Sequence, residues 1–149
     1  MTQTEFEAIL SDTTKRITGD IAWSEDEDHS PAVEFRAEVA SAAGYPLFVR
    51  GSYNAEAEAL TFALINRAVG RIYGLDLGKD HHNPDCDFVG ETHKHRWNEP
   101  QRDKEAYFPD EITAPAGDPV GVWQQFCREA NIVHDGVLQS PPPRQQELF

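Results

Sequence analysis

The chain is poor in sulfur and has no long apolar run. Its 149 residues include two cysteines, Cys86 and Cys127, and one methionine. Two cysteines are too few for the disulfide framework of a small secreted domain, which excludes that class. No run approaches the ~20 apolar residues of a membrane helix, and the polar first five residues hold no apolar signal core. These absences predict a cytoplasmic protein that does not enter the membrane.

Basic residues are half as frequent as acidic ones. Thirteen Lys and Arg against 26 Asp and Glu give a formal net charge of −13. An acidic surface repels phosphate backbones unless basic side chains are gathered into a patch, so the net charge disfavours nucleic acid as a partner. It suits a basic protein partner, and it is equally typical of an ordinary solvated surface.

The hydrophobic pattern predicts an α+β fold. Thr2 and Glu5 have the spacing of a capping box before a short amphipathic helix over residues 3–11. Alternating apolar positions with tight turns between them predict an antiparallel meander of five or six strands, ending in a strand over residues 71–77. Asp118 followed by proline predicts the start of a second helix over residues 119–130, with Cys127 on its apolar face. Both helices should cover one face of the sheet.

The domain boundary is predicted near residue 138. Residues 1–138 should form a single α+β domain. The run Ser140-Pro141-Pro142-Pro143 then begins a flexible Pro-rich tail over residues 139–149.

The segment Asp80–Trp97 gathers four of the six histidines and Cys86. If residues 92–97 are extended, His93 and His95 occupy the same face of the strand, because strand side chains alternate with period two. Two imidazoles, together with His81 or His82 and with Cys86 or Asp85, could complete a tetrahedral site, and this ligand set favours zinc. The spacing H-x₄-C-x₆-H-x-H is not a standard zinc signature.

The same residues also fit chemistry without a metal. Histidine titrates near neutral pH, so His93 and His95 could act as general base and general acid, with Lys94, Arg96 and Arg102 stabilising a developing anion. That set suits cleavage of RNA through its 2′-hydroxyl. It requires a locally basic sheet face, for which Arg50, Arg67, Arg71, Lys94 and Arg96 are the candidates. A third interpretation is structural, in which these histidines only hold a polar loop by hydrogen bonds.

The residues from Arg71 to His95 resemble the end of the TumE-like toxin family of bacterial toxin–antitoxin modules. In that family a strand with Arg and Asp leads into a His-His-Pro-type loop, followed by a His-Lys-His motif. The counterparts here are Arg71, Asp76, His81-His82-Asn83-Pro84 and His93-Lys94-His95. The resemblance implies an RNA-cleaving toxin role and an antitoxin as protein partner. The chain as a whole also resembles small uncharacterised bacterial proteins.

The last five residues resemble the pentapeptide with which bacterial replication and repair proteins bind the DNA polymerase sliding clamp. Gln145, Leu148 and Phe149 match its first, fourth and fifth positions, while Gln146 stands where an apolar residue is preferred. Two adjacent apolar anchors on a Pro-led tail are a sensible ligand for a pocket.

The sequence thus leaves two alternatives to an RNA-cleaving toxin. One is a non-enzymatic acidic binding or inhibitor protein, and the other is a structural zinc domain.

Overall fold

The structure is a computed structural model that describes residues 1–26, 31–78 and 114–142 in full, together with the backbone of four short strands between them. The helices are α1 (Gln3–Ser11) and α2 (Pro119–Glu129). The strands, in chain order, are β1 (Lys15–Thr18), β2 (Ser24–Glu25), β3 (Val33–Val39), β4 (Leu47–Asn54), β5 (Ala59–Asn66), β6 (Gly70–Leu77), β7 (His81–His82), β8 (Phe88–Val89), β9 (Thr92–Arg96), β10 (Ala106–Tyr107) and β11 (Ile132–Asp135).

Most strands belong to one antiparallel sheet in the order β10-β9-β6-β5-β4-β3-β2. Its members β2 to β6 follow one another as a meander, as the alternating pattern predicts. Strand β9 pairs with β6, so the chain returns to the sheet after leaving it at residue 77. The helices, the antiparallel sheet and their order confirm the predicted α+β class.

Both helices lie on one face of this sheet, called here the helix face. An aromatic cluster joins the layers: Trp123 meets Phe35 edge to face with ring centroids 5.5 Å apart, and Phe62 lies 5.1 Å from Trp123. Phe62 and Phe126 have no measurable exposure. Gly51 leaves the space for the Phe35 ring, because a Cβ at Gly51 would lie 2.1 Å from that ring.

Helix α1 begins and ends on specific side chains. Thr2 and Glu5 form the predicted capping box. At the other end the fully buried Lys15 donates hydrogen bonds from Nζ to the carbonyl oxygens of Ile9 (2.6 Å), Leu10 (2.9 Å) and Asp12 (2.7 Å). These carbonyls belong to the end of the helix, which has no further backbone donors of its own. Burial lowers the pKa of Lys15 to about 8, against the opposing attraction of Asp12.

Helix α2 and β11 form the C-terminal part of the described fold. Asp118 caps α2 and Pro119 opens it, as predicted. Cys127 lies in the core, as its place on the apolar face of the helix predicts, and burial raises the pKa of its thiol to about 12. Strand β11 pairs in parallel with β1 in a separate two-stranded sheet, outside the meander.

Two segments that follow the meander contain short strands. His81–His82 pairs with Phe88–Val89, and Ala106–Tyr107 pairs with β9. Residues 92–96 form the predicted strand. Neither described helix is long and apolar enough to cross a membrane.

Candidate functional site on the polar face of the sheet

The face of the main sheet opposite the helices carries the charged side chains of β3, β4 and β6, and it is called here the polar face. On β3 the buried positions alternate with more exposed charged ones, and the same period continues across β4 and β5. Because residues paired across an antiparallel ladder share a face, the register aligns polar-face positions into rows that cross the strands.

One row passes through Asp76 and ends at a histidine position. Called here the Asp76 row, it consists of Glu34, Ser52, Thr61, Asp76 and His93. Asp76 is only 4% exposed and accepts a 2.7 Å hydrogen bond from the Thr61 hydroxyl. A buried carboxylate needs such donors, since burial without them disfavours the charged form. The row therefore presents a held carboxylate next to the position of His93.

The neighbouring row passes through two arginines and ends at the second histidine position. Called here the Arg50 row, it consists of Arg36, Arg50, Ala63, Gly74 and His95. The side chain of Arg71 lies over Gly74, since a Cβ added there would be 2.9 Å from Arg71 Cδ. Glycine at position 74 thus lets the arginine approach the sheet beside the position of His95.

The residues proposed from the sequence divide between the two faces of β9. His93 and His95 pair with Asp76 and Gly74 and take polar-face positions. Lys94 and Arg96 pair with Leu75 and Tyr73, which are buried on the helix face, and so take the alternate positions. The register therefore aligns the His95 position with Arg50, and the Arg71 side chain lies beside that row over Gly74. Lys94 and Arg96, which the sequence placed on the same basic face, are set apart from them.

An arginine cluster continues the polar face over β3 and β4. The Arg36 guanidinium lies 3.8 Å from the centroid of the Phe48 ring and 3.4 Å from Glu38, which also pairs with Arg67. Arg50 is exposed, and in the parts of the chain that the structure describes its side chain forms neither an ion pair nor a hydrogen bond. Strand β4 thus carries a positive charge at Arg50 that no carboxylate of the described residues neutralises, despite the net charge of −13.

The predicted zinc ligands lie beyond what the structure describes in side-chain detail. His81 and His82 form β7, opposite β8, while Cys86 and the tail residues Gln145, Leu148 and Phe149 fall outside the described residues. Among the side chains that are described, no group of three His, Cys, Asp or Glu residues could hold a metal ion.

Sequence reasoning missed two features of the fold. It did not identify Thr61 as the partner of Asp76, although an aspartate between two buried leucines of a strand is a signal that a donor must lie nearby. It also missed Lys15, because nothing in a local pattern marks one lysine as the cap of a helix.

Taken together, the fold and site define a small α+β protein whose sheet has one helix-covered face and one polar face. The chain belongs to a family described as "Family of unknown function (DUF6978)", whose model matches residues 1–132. Searches of curated proteins and of solved structures found no significant match.

Proposed function

We propose that this protein is a toxin-like, RNA-cleaving protein whose active site lies on the polar face around His93 and His95. The observation that supports it is the strand register, which aligns both histidine positions with Asp76, Gly74 and the arginine beside Gly74. The resemblance to TumE-like toxins points in the same direction. Function in the bacterial cytoplasm, under control of an antitoxin, belongs to the same proposal.

The proposed reaction is an internal transfer at phosphorus. One histidine removes the proton of the 2′-hydroxyl as its oxygen bonds to phosphorus. The other histidine protonates the 5′-oxygen as the bond between that oxygen and phosphorus breaks. The products are a 2′,3′-cyclic phosphate and a free 5′-hydroxyl. Atoms and protons balance, and each histidine ends in the protonation state from which the other began.

Arg71 is the residue that we assign to the developing negative charge. A guanidinium held over the sheet beside the reacting phosphate stabilises the crowded anionic transition state. The sequence alone favoured Lys94 and Arg96 for this task, but their register positions alternate with those of the histidines. Asp76, held by Thr61, would orient the imidazole at position 93.

The test is cleavage of a short RNA by the purified full-length chain, with and without a chelator. His95→Ala and His93→Ala should each lower the rate at least ~100-fold, because a general acid or base contributes about 10²–10⁴. Arg128→Ala, an exposed change on α2, is the control and should leave the rate unchanged. All variants should retain the thermal unfolding midpoint of the parent protein.

Three readouts separate catalysis from contamination and from a merely structural role. The product should carry a 2′,3′-cyclic phosphate, a 2′-deoxy substrate should be inert, and kcat/KM should depend on pH as a bell. Cleavage that survives both histidine substitutions, or that does not require the 2′-hydroxyl, would refute the proposal.

The second candidate is a non-enzymatic acidic binding or inhibitor protein, favoured by the net charge of −13. It would bind a basic nucleic-acid machine or the sliding clamp, with Gln145, Leu148 and Phe149 as anchors. Fluorescence polarisation of a labelled peptide 140–149 against the clamp tests this, with Leu148→Ala and Phe149→Ala as controls. Absence of binding at high micromolar concentration would exclude the clamp.

A structural zinc domain is the third candidate, with His81, His82, Cys86, His93 and His95 as ligands. It is supported by the pairing of β7 with β8, which brackets the segment containing Cys86. Native mass spectrometry of the purified protein decides it: one bound zinc per chain favours this candidate, and a metal-free chain that cleaves RNA contradicts it.

A further inference from the structure

The Arg50 row contains an arrangement that the proposed cleavage chemistry does not require. Arg36 and Arg50 face each other directly across β3 and β4. Like charges directly opposite in a ladder are destabilising, so the pair is not explained by the stability of the sheet. In a chain with twice as many acidic as basic residues, carboxylates are abundant, yet none neutralises Arg50 within the described parts of the chain.

The two arginines differ in how they are held. Arg36 is fixed by stacking over Phe48 and by its contact with Glu38. Arg50 is exposed beside it with its guanidinium available for an anion. A fixed cation next to an available one suits a phosphate, because a planar guanidinium can donate two parallel hydrogen bonds to it.

The floor between this pair and the histidine positions is made of small side chains. From Arg50, the row continues through Ala63 on β5 to Gly74 on β6, with Arg71 lying over Gly74. Strands are spaced ~4.8 Å apart, so Arg50 stands about 10 Å from the β6 rung and about 15 Å from the β9 position of His95. The distance from Arg50 to the His95 position is larger than one phosphate group, so a ligand that spans it must carry several phosphates in a line.

We infer that Arg36 and Arg50 form a phosphate subsite for a single nucleic-acid strand that crosses the sheet strands along the Arg50 row. This inference rests on the proposed function for the reaction at the far end of the row, and it adds the class and length of the substrate. Phosphate contacts carry no base information, so the subsite favours longer strands without selecting their sequence. It would also allow an acidic chain to bind nucleic acid, since Arg36 and Arg50 stand side by side on one face.

Arg128 provides a matched control for Arg50. It is also exposed, it also lacks an ion pair and a side-chain hydrogen bond among the described residues, and it lies on α2 in the opposite layer. Replacing either arginine by alanine changes the net charge by the same amount. A difference between the two variants therefore reports position and not overall charge.

The experiment measures how tightly the full-length chain binds a fluorescent single-stranded DNA of about ten nucleotides, over a range of salt concentrations. DNA has no 2′-hydroxyl, so the proposed chemistry does not cleave this probe. Arg50→Ala should weaken binding about three- to tenfold and lower the slope of log K against log salt by about one, whereas Arg128→Ala should change neither. With RNA substrates, Arg50→Ala should slow cleavage of a decamer and leave a dinucleotide unaffected.

The outcomes distinguish the subsite from the cleavage reaction. Binding that depends on Arg50, in a protein that cleaves no RNA, supports the subsite and refutes the proposed function. Cleavage that depends on His95, with Arg50→Ala and Arg128→Ala indistinguishable in both assays, overturns the subsite and leaves the proposed function standing.

Discussion

The two faces of the main sheet use the same strands for opposite purposes. On the helix face, Phe35 and Phe62 pack against Trp123 with almost no exposed surface. On the polar face, directly opposed arginines and a buried aspartate stand where a sheet built only for stability would carry complementary pairs. Because alternate residues of a strand take opposite faces, the residues that stabilise the core lie on one face and the candidate functional residues lie on the other. Substitutions on each face can test this separation.

The largest effect on stability is expected at Phe62, at the centre of the helix face. Phe62→Ala removes a fully buried ring that contacts Trp123 and Phe126, and should cost about 3–5 kcal/mol in the free energy of unfolding. Urea denaturation followed by tryptophan fluorescence measures it. A cost similar to that of a polar-face substitution would contradict the assignment of the core to this face.

Lys15 is the next largest case, and its effect depends on pH. Lys15→Met strands carbonyl groups at the end of α1 and should cost about 1–3 kcal/mol at pH 7. The pKa of Lys15 falls from 10.5 to about 8 on folding. Between those values the unfolded chain binds more protons, so the parent protein gains stability as the pH rises.

The measurement is unfolding by urea at pH 7 and at pH 9.5 for both proteins. The difference in stability between the parent and Lys15→Met should widen at the higher pH, because the methionine variant lacks this titration. A difference that narrows from pH 7 to pH 9.5 would show that the lysine is held mainly as a cation.

Thr61→Val tests the hydrogen bond from Thr61 to the buried Asp76 on the polar face. Valine has nearly the same shape but cannot donate to the buried Asp76, and the loss should cost about 1–2 kcal/mol. Thr61→Ser keeps the hydroxyl and should recover most of that loss. If valine and serine variants unfold at the same midpoint, the hydrogen bond does not stabilise the fold.

The smallest effect is expected at Arg50. Arg50→Ala removes one of two opposed positive charges, so the free energy of unfolding should change by less than about 0.5 kcal/mol, with any change being a gain. Thermal unfolding at low and high salt tests this, because the gain should shrink as salt screens the repulsion. A loss above 1 kcal/mol would place Arg50 among the residues that stabilise the sheet.

Local sequence patterns were sufficient to predict most of the helices and strands of the sheet. Thr2 and Glu5 predicted the start of α1, and Asp118 with Pro119 predicted the start of α2, because caps act over three or four residues. Alternation of the side chains along the chain predicted β3 to β5 for a similar reason. The parallel pairing of β11 with β1 escaped prediction, since more than one hundred residues separate the two strands and no local signal records such a contact.

The sequence also predicted only part of the candidate site. The composition of the Asp80–Trp97 segment and the shared face of His93 and His95 follow from the sequence, because alternation along a strand is a local property. The identity of the residues beside those histidines does not follow from the sequence. Only the register of β9 against β6, of β6 against β5 and of β5 against β4 aligns them with Asp76, Thr61 and Arg50, and only the structure shows Arg71 over Gly74.

The sequence by itself determined the fold class, the helix ends and the core face of the alternating strands. Each of these features depends on residues that are close to one another in the sequence. Tertiary structure alone decided that Lys15 caps α1, that β11 joins β1, and that two rows of polar residues meet the histidine strand. The physical reason is that hydrogen-bonding partners across a sheet, or between a side chain and a distant helix end, are selected by packing of the whole chain.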